Sequence, residues 1–162
     1  MRKRILAMLC TIAVLCTMLT SIAFAQTNDQ ELKKVDGSYL THEESSTGTS
    51  STLTRGEYLM TGDCTISNAG LTRVYAYAST TANQTVNYMQ TIVYVDRYDP
   101  TDDEWGEYYS WVAEAENETF MSTAKSVTVD RGYYYRVRAI HIAGDQYPYD
   151  ETASFTNGIF VP

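Results

Sequence analysis

The chain has 162 residues with 20 acidic and 12 basic side chains, a net charge of −8, and a length that suits one domain with a real hydrophobic core. Strong negative charge argues against nucleic acid and anionic lipid surfaces, because both repel it. It leaves neutral ligands such as glycans, or cations, open.

Arg2, Lys3 and Arg4 form a positive segment, an apolar stretch runs from Ile5 to about Ile22, and Ala23-Phe24-Ala25 places small residues where a signal peptidase inspects the chain. An uncleaved anchor is the competing reading, since the run is nearly long enough to span a bilayer. Thr11, Thr17, Thr20 and Ser21 dilute that run. Residues 1–25 are therefore expected to be a signal peptide removed after Ala25, leaving a secreted chain that starts at Gln26 and has no stable membrane insertion. Its loss takes three basic and no acidic residues, moving the net charge from −8 to −11. Cys10 and Cys16 leave as well, and bulky Leu15 argues against lipid attachment at Cys16. Cys64 then has no partner for an intrachain disulfide, so stability must come from the core. No second apolar span or wall-sorting tail follows, and release into the medium is expected.

From Gln26 to about Arg55 the chain is polar, and Glu43–Thr54 is rich in serine and threonine. Such a segment buries too little apolar surface to offset its ordering entropy, so residues 26–55 are expected as a flexible leader. Strand patterning begins after Gly56. Val74–Ala78 and Val86–Tyr98 alternate with period two, Met89, Val93 and Val95 on one face and Tyr88, Ile92, Tyr94 and Tyr98 on the other. Asp99-Pro100-Thr101-Asp102-Asp103 is a turn and Glu107–Ala115 resumes the pattern, predicting a hairpin. Ser126–Val129, Tyr133–Ile142 and Phe155–Val161 complete the strands. No helical periodicity is convincing beyond the signal peptide. This spacing predicts an all-β, single antiparallel β-sandwich over residues 56–162.

Gly132-Tyr133-Tyr134-Tyr135-Arg136-Val137-Arg138-Ala139-Ile140-His141 resembles the F strand of fibronectin type III-like sandwiches, within the wider immunoglobulin-like architecture. The resemblance implies a tyrosine corner, with one ring under the preceding turn and its hydroxyl bonded to nearby backbone. Tyr133, with Val127 as apolar partner, fits that role best; Tyr135 with Val129 is the other register. Gly62-Asp63-Cys64-Thr65-Ile66-Ser67-Asn68-Ala69-Gly70, the tyrosine-rich middle and Thr156-Asn157-Gly158-Ile159-Phe160-Val161 are together similar to small secreted proteins of Gram-positive gut anaerobes classed as a domain of unknown function. That similarity implies export and a β fold, and brings no activity.

Catalytic parts are few. Cys64 and His141 are the minimum nucleophile and base of a small secreted hydrolase, but a packed or edge histidine on the face of Tyr133, Tyr135 and Val137 is the plainer account. No cofactor motif is found. Asp96, Asp99, Asp102, Asp103, Glu104 and Glu107 crowd one turn, yet their spacing does not match a calcium loop, and no metal site is expected. Glu114, Glu116 and Glu118 are expected on one water-facing strand edge. The conspicuous excess is tyrosine, 14 residues in all. If Met89, Val93 and Val95 face the core, then Tyr88, Tyr94 and Tyr98 face out, as do Tyr134, Arg136 and Arg138 on the neighbouring strand. These six are the candidate binding residues, an aromatic and arginine platform suited to sugar rings or a protein. The competing account is cross-strand packing with no ligand. The leading expectation is a non-enzymatic extracellular binding module.

Overall fold

The computed structural model describes residues 32–50 and 57–162, so the expected signal peptide and its cleavage site lie outside the described residues. All regular structure within them is strand: β1 (Lys34–Val35), β2 (Ser38–Thr41), β3 (Ser45–Thr49), β4 (Leu59–Asn68), β5 (Arg73–Val86), β6 (Tyr88–Asp99), β7 (Glu104–Ala115), β8 (Glu118–Thr128), β9 (Tyr133–Gly144), β10 (Asp150–Phe155) and β11 (Gly158–Val161). Two sheets pack face to face. One runs β3-β4-β5-β8; the other runs β1-β2-β11-β9-β6-β7, with β10 also paired to β9. From β4 onward this is the connectivity of a fibronectin type III-like sandwich, and the Tyr133–Gly144 strand holds the F position that its sequence implied.

Strict alternation fills the space between the sheets. Val74, Ala76 and Ala78 of β5 meet Val93 and Val95 of β6 and Tyr135, Val137 and Ala139 of β9. A second apolar cluster, Leu59, Ala82, Val86, Met89, Met121 and Ala143, lies toward the other end of the same strands. Between the two in strand order is a buried polar layer. Thr80 Oγ1 lies 2.6 Å from Thr91 Oγ1 and 2.8 Å from His141 Nδ1, and His141 Nε2 is 2.8 Å from Ser154 Oγ. Gly62 faces this histidine, and a Cβ there would overlap the imidazole ring.

The expected flexible leader is corrected over residues 34–49, which form β1 to β3. Val35-Asp36-Gly37-Ser38 closes a two-residue hairpin, with Asp36 at φ 46° and Gly37 at φ 81°. Positive φ at both central residues is the primed turn that matches strand twist, and Asp-Gly is among its preferred sequences. β2 then pairs in parallel with β11, and β3 pairs with β4. The serines and threonines of β3 need little apolar surface of their own, because the edge of β4 supplies a ready hydrogen-bond ladder.

The hairpin predicted around Asp99–Asp103 forms, with Asp99 opposite Glu104. Phe155–Val161 is not one strand, because it breaks after Phe155 where Thr156 takes its own bonds to Val137. Glu114, Glu116 and Glu118 do not share a strand; they straddle the turn from β7 to β8, with Asn117 at φ 57°.

The tyrosine corner is in the second register, which corrects the assignment to Tyr133. Tyr135 is fully buried, and its hydroxyl donates to Asp130 O at 2.9 Å and accepts from Asp130 N at 3.0 Å. Tyr133 lies at the exposed start of the strand, with the Arg97 guanidinium 4.7 Å from its ring centre. Tyr135→Phe is expected to cost about 1–3 kcal/mol by orphaning these backbone groups. Tyr133→Phe should stay within about 0.5 kcal/mol. Denaturant melts of the two variants check the order.

Candidate interaction surface

The six candidate binding residues lie on the outer face of the seven-stranded sheet, since their inward neighbours Met89, Val93, Val95, Tyr135 and Val137 form the core. That face divides into two halves with different fates.

The first half is covered. The β1–β2 hairpin lays Val35 and Leu40 over Tyr98, with Trp105 and Tyr134 packed beside them. Tyr98 is buried; its hydroxyl donates to Asp103 Oδ1 at 2.9 Å and accepts from Lys33 Nζ at 2.8 Å. Arg136 is 2% exposed. Its Nη1 donates to Asp36 O and Ser38 Oγ, and its Nη2 to Asp36 Oδ2, each at 3.0 Å. The guanidinium stands over the Trp105 ring at 4.7 Å. Beneath it lies Asp96, which is 2% exposed and accepts from Arg136 Nε at 3.3 Å and Arg138 Nε at 3.2 Å. Tyr134 Oη is 3.2 Å from His42 Nε2. Tyr98 and Arg136 are therefore corrected from exposed ligand groups to the sealed joint between the hairpin and the sheet. These partners across the joint lie from 65 residues apart, Lys33 and Tyr98, to 100 apart, Asp36 and Arg136, so no local pattern exposes the joint.

The second half is open. The Arg138 guanidinium lies 3.9 Å from the Tyr94 ring centre, and both side chains remain partly accessible. Tyr88 Oη and Gln90 Nε2 each donate to Glu114 Oε1 at 2.8 Å, and these bonds hold the Glu114 carboxyl below its ordinary range. Between these polar groups runs an apolar row that was not among the candidates. Ile92 pairs with Ile140 on one side and Val112 on the other, and Ala153 lies beyond Ile140. Val112 is 53% exposed, and Phe155, opposite Arg138 in the next row, is 43% exposed. The signal was available in β9, where Ile140 and Ile142 continue the outward phase of Arg136 and Arg138. At the adjoining end of the sheet, the Tyr149 and Tyr88 ring centres lie 5.0 Å apart at a 34° tilt, and Tyr147 is 88% exposed.

The remaining candidates come apart in space. Among the crowded acids, Asp96 is sealed under two arginines, Asp99 caps Thr101, and Asp103 pairs with Lys33 at 2.8 Å. No group of three or more His, Cys, Asp or Glu side chains converges on a metal position among the described residues. A cleft of about 400 Å³ between the β1–β2 hairpin and the β6–β7 turn is lined by Val35, Asp36, Asp103, Glu104 and Trp105. Cys64 and His141 are both fully buried between the sheets. Burial pushes the Cys64 thiol up to about 11 and the His141 imidazole down to about 4, so at neutral pH neither carries the charge that a thiolate–imidazolium pair needs.

The model of a family of unknown function, DUF6147, matches residues 27–158. No curated protein and no solved structure matches the chain.

Proposed function

The chain belongs to this family of unknown function, and we propose that it is a secreted, non-enzymatic interaction module that holds a protein partner against the open half of its seven-stranded sheet. The observation that carries this reading is the apolar outer-face row Ala153–Ile140–Ile92–Val112, with Val112 exposed and the other three half-buried, flanked by Phe155, Tyr94 and Arg138. Apolar residues at the centre, aromatic and arginine neighbours, and a polar rim of Gln90, Glu114 and Glu151 make up the composition of a protein-binding patch. A sugar would satisfy the rim but not the centre. Export rests on the basic, apolar and small-residue segments of residues 1–25. The alternative, a small secreted hydrolase using Cys64 and His141, is weakened by the burial and uncharged state of both groups.

The test is an array of extracellular proteins and glycans probed with residues 26–162. Protein ligands are expected, and Val112→Asp and Phe155→Ser should each weaken their capture at least tenfold, about 1.4 kcal/mol, while the melting temperature is nearly kept. Capture that both variants retain in full contradicts the assignment.

A further inference from the structure

The outer face of the four-stranded sheet has a different chemistry from the patch just described. Along β5, Tyr75 and Tyr77 point outward two residues apart, about 6.7 Å at strand rise. Tyr75 lies between Ser67 and Ser126, and Tyr77 between Thr65 and Ala124. β3 extends these rows with Ser45 and Thr47. The next row, Thr49, Asp63, Ser79 and Ser122, carries the one charge of the three, and Thr49 Oγ1 donates to Asp63 Oδ1 at 2.7 Å. In a chain with 20% charged residues this is a surface of hydroxyls around two tyrosine rings, with Asp63 on one side of the pair and exposed Arg73, opposite Thr128, on the other as its charges. Tyr75 is 41% exposed and Tyr77 half-buried.

Such a face selects by chemistry. A strongly charged ligand would find only Asp63 and Arg73, of opposite sign and on opposite sides of the tyrosine pair, and an apolar one would strip water from hydroxyls without giving them partners. A neutral sugar offers both things the face asks for. Its ring faces stack on tyrosine, and its hydroxyls donate and accept as serine and threonine do. An extended polymer is favoured over a small molecule, because hydroxyls recur from β3 through β4 to β8 at the strand spacing of about 4.8 Å. We propose that this face binds a neutral polysaccharide chain, with Tyr75 and Tyr77 as the stacking platform. The site is separate from the protein-binding patch, so one domain would carry a glycan on one face and a protein on the other.

The test is retention of residues 26–162 on regenerated cellulose, chitin and starch, with sedimentation velocity run in parallel. Retention on at least one polymer is expected, indifferent to salt up to about 1 M because no ion pair contributes. Tyr75→Ala and Tyr77→Ala should each weaken it at least tenfold, and Tyr77→Phe should keep most of it. Val112→Asp should leave it unchanged, which separates this result from the fate of the protein-binding reading. The proposal is overturned by absence of retention on all three polymers, by retention that salt abolishes, or by tyrosine variants that bind as well as the parent. It is also overturned by a dimer that Tyr77→Ala dissociates, which would make the face a contact between copies of the chain.

Discussion

Asp96→Ala is expected to destabilise the domain by about 3–5 kcal/mol, because it leaves buried positive charge uncompensated. The carboxylate is 2% exposed and serves Arg136 and Arg138 together, at 3.3 and 3.2 Å. Once it is gone, Arg136 keeps Asp36 as its one counter-charge among the described residues, and the Asp36 side chain faces water. Asp36→Asn is the matched control. It keeps a residue that tolerates φ 46° and should cost about 1 kcal/mol or less, as exposed ion pairs do. Urea melts of the two variants give the comparison. A loss below about 1 kcal/mol for Asp96→Ala would mean that water reaches the joint and that the β1–β2 hairpin does not seal it.

Stability is expected to fall by about 3 kcal/mol as the pH drops from about 6.5 to about 4, through His141 alone. Burial among Thr80, Thr91 and Ser154 lowers the folded-state value to about 4, while the unfolded chain takes up its proton near 6.5. Below 6.5 the unfolded state binds the proton and the folded state does not, so acid favours unfolding. The contribution is intact above 6.5, declines across the window and levels off below about 4. Asp103 and Glu114, held below their ordinary values by their hydrogen bonds, add losses only toward the acid end. His141→Gln should flatten the slope between pH 6.5 and 4.5. If chemical denaturation shows the parent already flat there, the imidazole is not held neutral in the core.

What could be read from the sequence divides along physical lines. β6 and β9 were legible because alternation is strict where one sheet face is buried, and Met89, Val93, Val95 and Val137 stand out against polar neighbours. The tyrosine corner was legible in kind but off by one strand repeat, since Tyr133 and Tyr135 share a phase and only the turn's length decides which ring lies beneath it. β3 was illegible by hydrophobicity: Ser45-Ser46-Thr47-Gly48-Thr49 has no apolar side chain and becomes a strand only because β4 offers its edge. The β1–β2 hairpin carried a local signal, Asp36-Gly37 between Val35 and Leu40, but its place over Tyr98 and Arg136 depends on a parallel pairing with β11 from the far end of the chain. So the outward phase of the candidate platform follows from sequence, and the cover on half of it does not. The same limit applies to the apolar row, whose four members come from four strands.

Hydroxyl-radical footprinting of residues 26–162, alone and with a protein captured on the array, tests the assigned surface most directly. Protection is expected at Phe155, Tyr94 and Val112, with Tyr75 and Tyr77 on the opposite face reacting as before. Protection confined to Tyr75 and Tyr77, with Phe155 and Val112 unchanged, would contradict the protein-binding assignment.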